Sequence, residues 1–356
     1  MTLSTAPRVA ILDALRGIAA LLVVAAHFGS TLSPAFGEML KNQLSLGQLG
    51  VMIFFLCSGY VIPLALEQQA SLYNFWVRRF FRLYPVYWLA TALIVICGLS
   101  GALMLSSVPR AHITAELLAA NPPVIALANA TMAQSLLTVP SLNPVAWTLT
   151  IELLFYGLVS LLFACGLLRY SLIWTLGCLG LAVLSETVMM PVWRSALTGL
   201  IQASLPIEVL SFLAMLGCGA VLAQLHRREI PWLPAVLVIA AVFAWSVVPH
   251  GVFVLPGDRI ARPLALIVFC VGLLLSRRTV PPIARFLGDI SYSVYLFQFP
   301  VIWLVPQTSS RPLTALVWLL ALIALATLTH RFVEQPGIAL GRSFTGAARR
   351  HAVEVA

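Results

Sequence analysis

The chain has 356 residues, 61% of them hydrophobic and only 9% charged, with a mean hydropathy of +0.99. Soluble proteins carry about 25% charged residues, so this composition excludes a soluble fold and points to a polytopic membrane protein. The net charge of +9 would suit a nucleic-acid partner if it were clustered, but its spread along the chain fits membrane orientation and no nucleic acid.

The first apolar segment, "ILDALRGIAALLVVAAHF" at 11–28, holds Asp13, Arg16 and His27. At about 100° per residue, Arg16 and His27 fall within about 60° of Asp13, on one helical stripe. Each buried charge costs roughly 2.5–3.5 kcal/mol in a bilayer, so the stripe is expected to face a polar cavity. The plainer alternative is an Asp13–Arg16 pair that locks helix packing, with His27 hydrogen-bonded in the bundle. Charges interrupt the apolar run and many spans follow, so the segment does not read as a signal peptide.

A spanning helix needs about 20 mostly apolar residues. Segments of this kind run near 9–31, 46–66, 83–105, 145–168, 171–190, 204–225, 231–249, 262–276, 286–306 and 312–333. They predict an all-α bundle of about ten transmembrane helices. The second contains "FFLCSGYVI", whose Cys57, Ser58 and Gly59 suit close packing, with Ser58 a candidate for cavity lining. All six cysteines lie in apolar segments without a CxxC pair, so reduced thiols are expected rather than disulfides or a metal site.

Ahead of the third segment stands "FWVRRFFRLYPVYW". Arg78, Arg79 and Arg82 bracket an expected helix entry, with Pro85 just inside it. Guanidiniums among aromatic rings can hold phosphates, or they can simply orient the chain. The gap 106–144 contains "PPVIALANATMAQSLLTV", too short and too polar for a span, and it reads as a re-entrant or interfacial segment. In the fourth segment Glu152 lies at a depth where it could meet His27 and fix its tautomer. The ninth, "GDISYSVYLFQFP", places Tyr295 and Gln298 one turn apart on one face, where they could line a cavity or hydrogen-bond between helices.

Orientation follows from Lys and Arg. With a cytoplasmic N-terminus, 14 of them fall on inside pieces and 6 on outside pieces. This bias places both termini in the cytoplasm. Residues 1–334 then form one integral membrane domain, and 335–356 a short basic cytoplasmic tail.

The motifs "LDALRGIAALLVVAAHF", "GVMIFFLCSGYVI", "RRFFRLYP", "AWTLTIELLFY", "LGDISYSVYLFQFP" and "VEQP" resemble, in this order, those of the acyltransferase 3 family of membrane O-acyltransferases. The resemblance covers about residues 9–336. It implies transfer of an acyl group, usually acetyl from acetyl-CoA, to a hydroxyl of an envelope or exported glycan such as a polysaccharide, lipopolysaccharide or lipid-linked saccharide. Some relatives acylate small secondary metabolites instead. The implied functional residues are Arg16 and His27, Arg79 and Arg82, and Glu152, with Arg78 beside them. Asp13, Ser58, Tyr295 and Gln298 are candidates for acceptor contact or cavity lining. The implied location is the bacterial inner membrane, with acyl-CoA as donor substrate and no bound cofactor or metal. The family often has histidine where Gln298 stands, so His27 is expected to work without a second intramembrane histidine. Some relatives carry a fused periplasmic domain; here such a partner would be a separate protein. The rival from another class is a secondary transporter using His27 and Glu152 as a proton relay, but no inverted repeat supports it.

Overall fold

A computed structural model describes residues 10–99, 122–137, 139–189, 205–248 and 255–354. Arg8, Arg110 and Arg194, counted above for orientation, lie outside the described residues, as does residues 100–105 of the third expected span. The described residues are helical, with no strand among them. The helices are α1 (Ala10–Leu32), α2 (Pro34–Asn42), α3 (Leu46–Gln69), α4 (Leu72–Leu99), α5 (Pro122–Ala130), α6 (Trp147–Ala164) and α7 (Ser171–Leu184). They continue as α8 (Leu205–His226), α9 (Trp232–Val247), α10 (Pro256–Leu274), α11 (Pro282–Asp289), α12 (Ser291–Leu304), α13 (Arg311–Thr329) and α14 (Gln335–Glu354). Six helices among the described residues are long and apolar enough to cross a membrane, and two shorter ones, Ser171–Thr187 and Trp232–Val247, are apolar. Length and composition therefore account for fewer crossings than the ten expected.

Three elements differ from expectation. The helix of the arginine motif begins at Leu72, so Arg78, Arg79 and Arg82 lie on α4 itself and Pro85 is internal. Proline removes the bond to the carbonyl four residues back. That freed Phe81 carbonyl is met by Gly337 of α14, where a Cβ would come within 2.6 Å of the oxygen. The expected span 286–306 is broken at Ile290 into α11 and α12. Residues 335–354 of the basic tail are helical and continue α13 through a π-helical turn at His330–Glu334.

Lipid tails are as apolar as leucine, so membrane helices associate through close packing of small residues and through polar contacts. α3 packs against α1, α8 and α10. At its crossing with α8, a Cβ on Gly59 would overlap the Leu216 carbonyl, and one on Gly219 would overlap that of Leu56. α1 crosses α11 in the same way: a Cβ on Gly17 would lie 2.8 Å from the Gly288 nitrogen, and one on Gly288 would strike the Asp13 carbonyl. This second crossing holds the stretch of α1 that carries Arg16.

Gly59→Val should force α3 and α8 apart and cost about 1–3 kcal/mol, the usual penalty of overpacking. Thermal denaturation in detergent, followed by loss of the monodisperse species, should show a lowered midpoint. Gly157→Ala, with open space around its Cβ position, should leave the midpoint unchanged.

Candidate functional site

α1, α3, α4, α6 and α12 line a partly open pocket of about 670 Å³, counting the space that opens to solvent. Arg16, Ser58, Arg79, Arg82, Glu152, Tyr156, Tyr292 and Tyr295 supply polar groups to its wall, and Phe54, Phe55 and Leu149 are among its apolar members. Three guanidiniums face one carboxylate, so the wall carries an excess of positive charge in surroundings of low dielectric constant, suited to an anionic ligand.

Each polar side chain is held by its own helix geometry. Arg79 is buried, its guanidinium 5.4 Å from the Phe75 ring centre and 5.3 Å from that of Tyr156. Planar guanidinium against aromatic faces is a favourable contact that lysine reproduces poorly. Arg82 is one turn further along α4 and shares the face. Arg78 is rotated away, and its Nε donates to Thr345 Oγ1 of α14 at 3.0 Å. Glu152 Oε1 accepts from Tyr156 Oη at 2.7 Å, one turn along α6, and from Ser58 Oγ of α3 at 3.2 Å. The Tyr295 hydroxyl lies 2.8 Å from Thr148 Oγ1 and donates to the Val145 carbonyl at 3.1 Å.

His27 lies apart from this pocket. It is eleven residues beyond Arg16 on α1, so about 16 Å further toward the C-terminal end of that helix. Its Nδ1 is 2.7 Å from Gln298 Oε1, and its ring centre is 4.9 Å from that of Phe299. Gln298, fully buried, donates from Nε2 to the Tyr295 carbonyl at 2.7 Å. Tyr295 and Gln298 thus join the pocket to His27 along α12. The expected meeting of His27 with Glu152 does not occur: the hydrogen bonds of Glu152 go to Ser58 and Tyr156, and that of His27 goes to Gln298. Asp13 does not line the pocket but stands where Gly288 abuts its carbonyl.

The start of α6 is anchored from the same helix. Pro300 frees the Leu296 carbonyl, and Asn143 Nδ2 donates to it at 3.2 Å. A further polar knot lies at the "VEQP" motif: buried Glu334 accepts from Ser293 Oγ at 3.2 Å and lies 3.0 Å from His330 Nδ1. Tyr156 and Thr148 went unnoticed in the sequence. The spacing of Tyr156, four residues after Glu152, could have revealed it.

An acyltransferase domain profile matches residues 9–329. The chain belongs to the acyltransferase 3 family. It is 26% identical over 380 residues to the acyltransferase MdmB of Streptomyces mycarofaciens, covering 93% of this chain and 92% of that protein. It is 24% identical over 329 residues to the exopolysaccharide production protein ExoZ of Rhizobium meliloti (strain 1021), covering 86% of this chain and 94% of that one. No solved structure matches the chain significantly. The protein is accordingly a membrane-embedded transferase of acyl groups.

Tyr156→Phe keeps the ring over Arg79 and removes one donor to Glu152. A hydrogen bond to a charged group contributes about 1.5–3 kcal/mol, so acyl transfer should fall by about tenfold or more. Initial rates in membranes at matched protein level measure it, with Tyr73→Phe, on an exposed side chain, as the neutral control.

Proposed function

We propose that this protein moves an acyl group, acetyl in the simplest case, from acyl-CoA to a hydroxyl of a cell-envelope or exported carbohydrate, with His27 as general base. One observation carries the proposal. A cationic pocket beside the first turns of the first helix and a hydrogen-bonded histidine near that helix's other end are joined through Tyr295 and Gln298.

Arg16, Arg79 and Arg82 hold the donor's phosphates, and the thioester end of its long flexible arm reaches toward His27. The acceptor oxygen attacks the thioester carbonyl as its proton passes to His27. The tetrahedral intermediate then collapses, the carbon–sulfur bond breaks, and the CoA thiolate leaves to be protonated. Glu152, tied to Ser58 and Tyr156, balances part of the arginine charge rather than orienting the base. The exopolysaccharide named in the ExoZ relative supports a saccharide acceptor. The arginine bias supports a bacterial cytoplasmic membrane with both termini inside, donor on the cytoplasmic face and acceptor toward the outer one.

Sealed inside-out vesicles test the whole scheme. Labelled acetyl-CoA is supplied outside, where the cytoplasmic face is exposed, and cell-envelope glycan is enclosed. Label should appear on the enclosed glycan, and His27→Ala should abolish it with the protein still inserted. Labelling by a well-inserted His27→Ala variant would remove His27 from the chemistry. Labelling of externally added glycan alone would place the acceptor on the cytoplasmic face.

Arg79→Ala and Arg82→Ala should act mainly on the donor, raising its KM about tenfold or more with a smaller change in kcat. Steady-state kinetics against acetyl-CoA concentration distinguishes this from a pure orientation role, which would alter topology and leave KM unchanged.

A further inference from the structure

The bond network around Gln298 determines which nitrogen of His27 carries the proton. The side-chain amide has one donating end and one accepting end. A backbone carbonyl only accepts, so the end facing the Tyr295 carbonyl at 2.7 Å is the NH2. The end facing His27 Nδ1 at 2.7 Å is then the oxygen, which must receive a proton. His27 is therefore protonated on Nδ1 in its neutral form, and Nε2 carries the lone pair. Gln298 is fully buried on the turn preceding Pro300.

We infer that Gln298 is a positioning residue that holds His27 as the Nδ1–H tautomer, with Nε2 as the atom that takes the acceptor's proton. This rests on the general-base role proposed for His27. In the step itself the acceptor oxygen–hydrogen bond breaks, its proton joins Nε2, and the oxygen bonds to the thioester carbon while CoA departs as thiolate. The ring is then an imidazolium with both nitrogens protonated. Its Nδ1–H bond to the Gln298 oxygen becomes charge-assisted and shorter, so the amide favours the protonated ring that forms during transfer. Glutamine orients the imidazole as a carboxylate would, but adds no negative charge to an apolar region. Loss of the bond frees the ring to change tautomer and to rotate away from the acceptor, a misplacement that costs about 100-fold in rate.

The test is nitrogen NMR of the full-length protein in bilayers, labelled on histidine, with the His27 signals assigned by their loss in His27→Ala. The wild-type neutral ring should show a protonated Nδ1 and a bare Nε2. Gln298→Met keeps the volume and removes the amide. It should lose that signature and lower kcat about 100-fold with donor KM unchanged. Gln298→Glu retains an accepting oxygen and should keep the signature and more of the rate than the methionine variant. A wild-type ring protonated on Nε2 overturns the assignment without any variant. So does a Gln298→Met protein that keeps the Nδ1–H signature, or one that loses it with kcat intact. If His27→Ala also keeps its kcat, the general-base role has failed, and the tautomer result stands or falls separately.

Discussion

Lipid does not solvate charge, and most of this bundle follows from that constraint. Arg16, Arg79, Arg82 and Glu152 are all on helices of the membrane domain, and each charge facing lipid would cost roughly 2.5–3.5 kcal/mol. Five helices turn these residues toward one pocket, where aromatic rings and hydroxyls take the place of water. Arg79 lies against Phe75 and Tyr156, and Glu152 receives two hydroxyl protons. The pocket is thus a consequence of turning charged side chains away from lipid. The charges are tolerated because the helices pack around them.

The same constraint governs the backbone. A carbonyl released by proline inside a membrane helix must find another partner. Pro300 releases Leu296, and Asn143 takes up that carbonyl from the segment leading into α6. The helix carrying Thr148, Glu152 and Tyr156 is thereby registered against the helix carrying Tyr295 and Gln298. Pro85 releases Phe81, and Gly337 packs onto it, with Phe344 stacked on the Phe81 ring at 5.4 Å. That contact brings α14 alongside the first half of α4, and Thr345 then binds Arg78. The two prolines act as docking points for segments distant in sequence, both next to the arginines and the polar residues of the pocket.

Division of the site into two parts has a chemical logic. In the proposed scheme the donor's phosphates go to the arginines of the pocket. The histidine proposed as the base stands apart from those guanidiniums. Eleven helical residues separate Arg16 from His27 by about 16 Å along α1, and the partner of His27 is the buried amide of Gln298, not a carboxylate.

The sequence alone determined the class of the protein. Its hydropathy requires a helical membrane protein, the stripe of Asp13, Arg16 and His27 requires a polar interior, and the ordered motifs point to acyl transfer. These depend on composition and on neighbours within a few residues, which local spacing records. Only the tertiary structure decided the partners. Arg79 and Arg82 face the pocket while adjacent Arg78 faces α14, because the helix begins at Leu72 and turns about 100° per residue. His27 meets Gln298 across 271 positions of chain, and Glu152 meets Ser58 across 94. No local pattern encodes such pairings, because they depend on which helices cross and at what height. The glycines at 59, 219, 17 and 288 set those crossings through contacts with backbone far away in sequence.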